Sequence, residues 1–254
     1  MGSNPTRGIV RSADDVRLAF ALSAEGLNPC QVARRTGIPR STIRDWLRSG
    51  APGGKYGRTR ALYDLDQLPR PAYAYLLGIY LGDGHISQLP RTFRLRVSMD
   101  SRYPRIIGEV ARAMHAVLPT HRVDVRRIKP HNLVIISIYS VQLARLFPQH
   151  GPGRKHERPI VLGDWQQEIV VEHSGLFLRG LIQSDGCRVM NKVWGGKYVY
   201  PRYFFTQESV DIMDLFTDTC DRLGIAWAFT KRNTVSVAKA ASVARVDEFV
   251  GPKH

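Results

Sequence analysis

The sequence predicts an α+β fold: a helix–strand–strand–helix–strand–strand–helix unit present twice in one chain, preceded by a small all-helical segment. Three observations predict it. The stretch "YLLGIYLGDG" is echoed by "FLRGLIQSDG", which puts Asp83 and Asp185 102 positions apart (185 minus 83). Downstream of each stretch, strand-like and helix-like segments come in the same order. Finally, "SGAPGGKYGRTR", residues 49–60, crowds glycine, proline and cations together without apolar periodicity, separating a short helical part from a long mixed one.

Composition narrows the function classes. Across 254 residues, 37 Lys+Arg face 22 Asp+Glu, a net charge of +15, which points to a polyanionic partner, with nucleic acid first. A merely soluble or ribosome-associated basic protein is the bland alternative. Three dispersed cysteines, Cys30, Cys187 and Cys220, form no CxxC pattern, which argues against a disulfide framework or a zinc knuckle. No apolar run approaches the roughly 20 residues that span a bilayer. The opening "MGSNPTRGIV" lacks the apolar centre of a secretory signal. The expected location is therefore cytoplasmic, on DNA or the nucleoid, with no membrane partner.

From the N-terminus, "ADDVRLAFALSAEG" reads as a supporting helix for "NPCQVARRTGIPRSTIRDWLRSG", residues 28–50. Ala33 is small where two helices would cross, and Gly37, four later, suits a tight turn with positive φ. Ile43, Trp46 and Leu47 give the next helix a buried face, and Ser41 is placed to cap it. This segment resembles a helix-turn-helix, with Arg40, Ser41, Thr42, Arg44 and Arg48 on or near the recognition helix. A generic helical hairpin is the alternative. The expected division is a helix-turn-helix domain over 1–50, a basic Gly-rich linker over 51–71, and a large domain over 72–254 with halves of about 72–153 and 154–254. Linker residues Lys55, Arg58 and Arg60 could track a phosphate backbone, and the tether would raise the effective concentration of each unit on one duplex.

The large part opens with the first repeated helix. Gly78 and Gly82 fall four apart, on one face, and Gly180 and Ser184 take the same places in the second. Small residues at that spacing let two helix axes approach closely. If the helices cross on those faces, Asp83 and Asp185 are brought together. Two neighbouring carboxylates repel unless a divalent cation sits between them, and magnesium accepts carboxylate, phosphate and water oxygens. A lone Asp-Gly also serves as an ordinary turn; two copies in matched contexts favour metal binding.

"LLGIYLGDG" and "LRGLIQSDG" resemble the two motifs of a single-chain LAGLIDADG homing endonuclease, and the likeness extends over about residues 72–254 through the repeated element order. The resemblance implies a pseudo-twofold αββαββα duplication whose antiparallel sheets form a saddle over duplex DNA. It also implies that Asp83 and Asp185 bind Mg2+, with Mn2+ as substitute, for phosphodiester hydrolysis in the manner of intron homing by a mobile element. The family places a lysine at the end of each half's last strand and often a glutamine at the end of the first hairpin. Lys239 and Gln207 match in the second half, whereas the first half holds Tyr139 or Ser140, and Met99. A monomer is implied because the duplication already supplies the twofold.

In "FRLRV", Phe93, Leu95 and Val97 alternate with Arg94 and Arg96, so one strand face buries while the other presents guanidiniums. Arg122 and Arg126 repeat the pattern, and Lys197 and Arg202 do so less cleanly in the second half. Such arginines fork onto guanine edges or pair with phosphate. The connection "HGPGRKHERPIVLGDW", residues 150–165, is expected to run over the surface, and His85 is expected to be a surface histidine beside Asp83. The competing class is a non-cleaving DNA-binding transcriptional regulator with the same fold. An intein is disfavoured because residue 1 is not a nucleophile and no terminal His-Asn is present.

Overall fold

Three helices, the second of them capped at both ends, build the N-terminal unit of the computed structural model, which describes residues 13–49 and 63–251. The chain divides into compact units at 1–62 and 63–254. Lys55, Arg58 and Arg60 lie outside the described residues. In the first unit α1 is Ala13–Ala24, α2 Pro29–Thr36 and α3 Arg40–Ser49. Asn28 starts α2 through a capping box: its side-chain oxygen accepts from the Cys30 and Gln31 amides at 3.0 and 3.1 Å, and the Gln31 side chain accepts from the Asn28 amide in return. Gly37 then turns the chain with φ 68°, the left-handed conformation that favours glycine. Ala19, Leu22, Val32, Ile38 and Ile43 close a small core, with Ala33, Trp46 and Leu47 packed against it. Ser41 does not cap α3. The helix begins one residue earlier, and the Ile43 amide bonds to the Pro39 carbonyl, so Ser41 sits exposed in the first turn.

The second unit begins before α4. Leu68 is buried, and the Tyr63 hydroxyl donates to the Val117 carbonyl at 2.6 Å, so the last residues of the stretch read as linker dock on this core. The element order is α4 Arg70–Leu81, β1 Gly84–Leu89, β2 Thr92–Asp100, α5 Pro104–Val117, β3 Val123–Ile128, β4 Leu133–Ser140 and α6 Leu143–Leu146. After a connector come α7 Asp164–Glu172, α8 Ser174–Asp185, β5 Gly186–Val193, β6 Tyr198–Thr206, α9 Val210–Arg222, β7 Ala228–Lys231, β8 Thr234–Val237 and α10 Ala240–Asp247. Each half forms one antiparallel four-stranded sheet, ordered β1-β2-β4-β3 and β5-β6-β8-β7. This is the α+β, duplicated αββαββα architecture that the repeat predicts.

The core lies where α4 and α8 cross. Tyr73 to Leu81 are all buried, as expected of a helix that is apolar on every side. A methyl group on Gly78 would lie 2.4 Å from the Phe177 carbonyl oxygen and 3.0 Å from the Gly180 Cα; one on Gly180 would meet Tyr75 and Gly78 at the same distances. The two backbones therefore touch directly, which only glycine allows.

The connector departs from expectation. Ile160 and Leu162 are buried, so it does not run wholly over the surface. It leads into α7, whose Gln166 is fully buried. The Gln166 amide donates to the Tyr73 hydroxyl at 2.6 Å, and its oxygen accepts from Gln149 at 2.5 Å. Buried amides need such partners.

Candidate active site

The helix crossing delivers both aspartates to one place. Asp83 comes directly after Gly82, the residue capping α4, and Asp185 is the last residue of α8. A methyl on Gly82 would lie 2.1 Å from Ser184 Oγ and 2.9 Å from Asp185 Oδ2, so the residue before one aspartate touches the other. Ser184 fits there because its hydroxyl turns back to the Gly180 and Leu181 carbonyls at 3.0 and 2.9 Å.

Gln207 reaches Asp185. Its Nε2 donates to Asp185 Oδ2 at 2.8 Å, while its Oε1 accepts from the Glu208 and Ser209 amides at 2.9 and 3.2 Å. The amide is thus oriented from behind, with its N–H aimed at the carboxylate. Strand register identifies its counterpart. Gly84 faces Val97 and Gly186 faces Phe205, so two residues further on Met99 corresponds to Gln207. Met99 is buried and offers no hydrogen-bond donor.

Lys239 is not at this site, because β8 runs away from it. Gly186, next to Asp185, faces Phe205, and Val237 pairs with Tyr203, so the chain beyond β8 continues toward Pro201. At about 3.3 Å per residue, Lys239 is carried roughly 13 Å along the sheet from the aspartate end. The same register identifies Ser140 as its first-half counterpart, since Ile138 pairs with Leu95 as Val237 pairs with Tyr203. Ser140 is buried, and its hydroxyl accepts from the Gln142 amide.

The lysine at the pair is Lys155, which sequence reasoning overlooks inside the connector. Its ammonium donates to the carbonyls of Tyr80, Leu81 and Gly82 at 2.5, 2.9 and 2.6 Å, filling the negative end of α4. Burial lowers its pKa to about 8, against the opposing pull of Asp185 and Asp83. The side chain as a whole is half-buried, with the ammonium as its enclosed end. The one available signal is a lone lysine after "HGPGR", and nothing in the sequence ties it to α4.

Asp185, Gln207 and Lys155 line a cleft of about 440 Å³ together with His85, His150, Arg154, His156 and Arg158, and Gly82 and Gly84, on either side of Asp83, complete its wall. His85 is exposed, and its pKa is lowered first by partial desolvation and then by Arg96, Lys155 and Arg158. The cleft is thus a cationic mouth around the Asp185 carboxylate, with the glycines flanking Asp83 in its wall, suited to a phosphate. No cluster of three His, Cys, Asp or Glu side chains suited to a metal exists among the described residues. The donor set is two hard carboxylates. Magnesium accepts that arrangement when phosphate and water complete its shell, so the residues present fit the ion.

Register also sorts the strand cations. In the first sheet, Arg94 and Arg96 share the open face with Ser137 and Tyr139, and β3 adds Arg126 opposite Ile135. Arg122, just before β3, falls on the same face by alternation. In the second sheet Arg202 lies on the open face, its guanidinium 5.7 and 5.6 Å from the Tyr200 and Phe204 rings. Lys197 instead sits exposed at the β5–β6 hairpin tip, 5.6 Å from the Tyr198 ring. In the first unit Arg40, Ser41, Arg44 and Arg48 are exposed along α3 and Thr42 is half-buried. No helix among the described residues is long and apolar enough to cross a membrane.

Known proteins share parts of this architecture. Residues 11–51 match the model of a homeodomain-like domain. No curated protein matches the chain. Among solved structures, it is similar to the homing endonuclease I-DmoI in complex with DNA and Mn, at 13% identity over 73% of this chain and 98% of that one, TM-score 0.48. It is also similar to the homing endonuclease I-WcaI bound to its DNA recognition sequence, at 15% identity over 82% and 92% of the chains, TM-score 0.46. A third is the LAGLIDADG meganuclease I-AabMI bound to uncleaved DNA, at 15% identity over 70% and 82%, TM-score 0.42.

Proposed function

We propose that this chain is a site-specific endonuclease of LAGLIDADG type that hydrolyses phosphodiester bonds in duplex DNA with Mg2+, or Mn2+ in its place. It would act as a monomer carrying an accessory helix-turn-helix. The observation that carries this reading is the approach of Asp83 and Asp185 at the helix crossing, beside a cleft lined by Asp185, Lys155, Arg154 and Arg158. A carboxylate pair held by backbone contact between two helices, and surrounded by cations, suits metal-assisted attack on a phosphate.

In this reading Asp83 and Asp185 hold the metal, which when bound makes a water nucleophilic and stabilises the leaving oxygen. Gln207 keeps the Asp185 carboxylate oriented through its Nε2 bond. The Lys155 ammonium lies beside both aspartates and stabilises negative charge developing at phosphate oxygens. The arginines of the two open sheet faces, with Lys197 at the hairpin tip, hold the duplex, and α3 enters a groove through Arg40, Ser41, Thr42, Arg44 and Arg48. A helix-turn-helix domain ending near residue 50, a large domain that takes in the docked residues from Tyr63 on, a DNA-associated cytoplasmic location and a role in intron homing belong to the same proposal.

A second reading, a DNA-binding regulator without turnover, is favoured by one observation: the first half offers buried Met99 where the second offers Gln207. Incubating the full chain and an Asp185→Asn variant with a duplex library and Mg2+ separates the two. Defined cuts by the parent alone support the nuclease. Sequence-selective retention without cuts, in Mg2+ and in Mn2+, supports the regulator.

A further inference from the structure

Five buried side-chain polar atoms lack a hydrogen-bond partner among the described residues, and three of them, Arg94 Nε, Arg202 Nε and Ser236 Oγ, belong to the two open sheet faces. Their positions are related by the duplication. Arg94 lies three residues before Val97, which faces Gly84, and Arg202 lies three residues before Phe205, which faces Gly186. Ser137 precedes Ile138, the partner of Leu95, and Ser236 precedes Val237, the partner of Tyr203. Each sheet therefore carries one arginine and one serine in the same diagonal relation, at the same distance from its aspartate.

Each guanidinium is also held by rings. Arg94 lies 5.3 Å from the Tyr139 ring centre and donates from Nη2 to Ser137 Oγ at 3.2 Å. Arg202 is flanked by Tyr200 and Phe204. Neither has a carboxylate partner among the described residues. The unpartnered Nε and Oγ atoms are themselves shielded, but guanidiniums without an acidic partner at two symmetry-related places on the open faces point to an acceptor supplied from outside the fold. A planar guanidinium fixed against aromatic rings is prepared for a bidentate acceptor. The flanking positions are not matched: Arg96 corresponds to Phe204, one residue before Val97 and Phe205 respectively.

The geometry points to Arg94 and Arg202 as a matched pair of specificity-determining residues, each reading the O6/N7 edge of a guanine. The target would then carry two guanines, one on each strand, at equal distances from the cleavage centre. Bases facing Arg96 and Phe204 would differ between half-sites. This rests on the proposed binding of duplex DNA and is independent of cleavage.

The test is selection of bound duplexes from a randomised library in Ca2+ with the full chain, Arg94→Met and Arg202→Met. The parent should enrich a symmetric guanine pair. Each variant should lose preference at one guanine only, by roughly tenfold or more. Replacing each guanine in the selected duplex with 7-deazaguanine should weaken parent binding at both positions, a readout that needs no folded variant. An enriched site without the symmetric guanines overturns the inference while leaving the proposed function standing. So does an Arg94→Met variant that weakens all duplexes equally, as loss of a phosphate contact would. A parent that retains no duplex overturns both.

Discussion

Gln207 places its amide 2.8 Å from Asp185, whereas the corresponding position beside Asp83's half is filled by buried Met99. The two halves thus differ at the position that meets Asp185. The strand attacked through the Gln207-backed side should be cut first, and nicked duplex should accumulate in a time course on a supercoiled target. Gln207→Met should slow the faster step roughly 10- to 100-fold, the usual cost of removing a partner that orients a metal ligand. Equal strand rates in the parent would contradict this account.

Lys155 sits at the electrostatic centre of the cleft. Lys155→Met should lower single-turnover cleavage roughly 100-fold or more, with DNA binding at low salt changed far less. Lys155→Arg should rescue poorly, because a planar fork cannot place one ammonium against three carbonyls. A variant that cuts at the parent rate would remove Lys155 from the mechanism.

The glycine contact between α4 and α8 makes a stability prediction. Gly78→Ala and Gly180→Ala each force a methyl to within 2.4 Å of a carbonyl oxygen across the crossing. Each should cost about 1–3 kcal/mol or more in chemical denaturation, the range for an overpacked core. Gly108→Ala serves as a control, since the nearest atom there is 3.5 Å away, the end of the flexible Arg112 side chain.

Asp247 provides a pH test away from the cleft. The Arg188 guanidinium, bonded to it at 2.9 Å through two nitrogens, holds its carboxyl below the ordinary value, with the Tyr203 hydroxyl assisting. A carboxyl depressed in the native state contributes stability above its unfolded value, near 3.9, and loses it as pH falls through the native value. Asp247→Asn should therefore melt lower than the parent at pH 7, by roughly 2–4 °C, and the gap should narrow progressively as pH falls below the unfolded value. A gap that stays constant as pH falls through the acid range would assign the effect to packing.

On α3, Arg44 is exposed and forms no ion pair among the described residues. If it contacts phosphate, Arg44→Ala should weaken DNA binding similarly across sequences and reduce the slope of log K against log salt by about 1.

Much of the molecule is legible in its sequence, for physical reasons. A repeated apolar helix with glycines four apart specifies a close crossing, and an aspartate at each end then has one place to go. Alternation in "FRLRV" assigns Arg94 and Arg96 to the open face because side chains along a strand change sides at every step. Lys239 is misplaced by sequence because a strand's residues reveal its faces and not its direction relative to a neighbour; that needs the order β5-β6-β8-β7. Gln166 and Lys155 escape for a different reason. Polar residues in a Gly- and Pro-containing stretch read as solvated, and their burial depends on partners contributed by α4, far away in the chain.

The connector carries a consequence for the duplication itself. Lys155 fastens it to the carbonyls of α4, and the Ile160 amide fastens it to Asp211 of α9 at 2.6 Å. Among the described residues, the amide at the cleft comes from the second copy and the ammonium from the segment that trails the first. Two identical first copies would assemble without Gln207, and two identical second copies without Lys155. The two halves, alike in architecture, therefore supply different polar groups to the cleft.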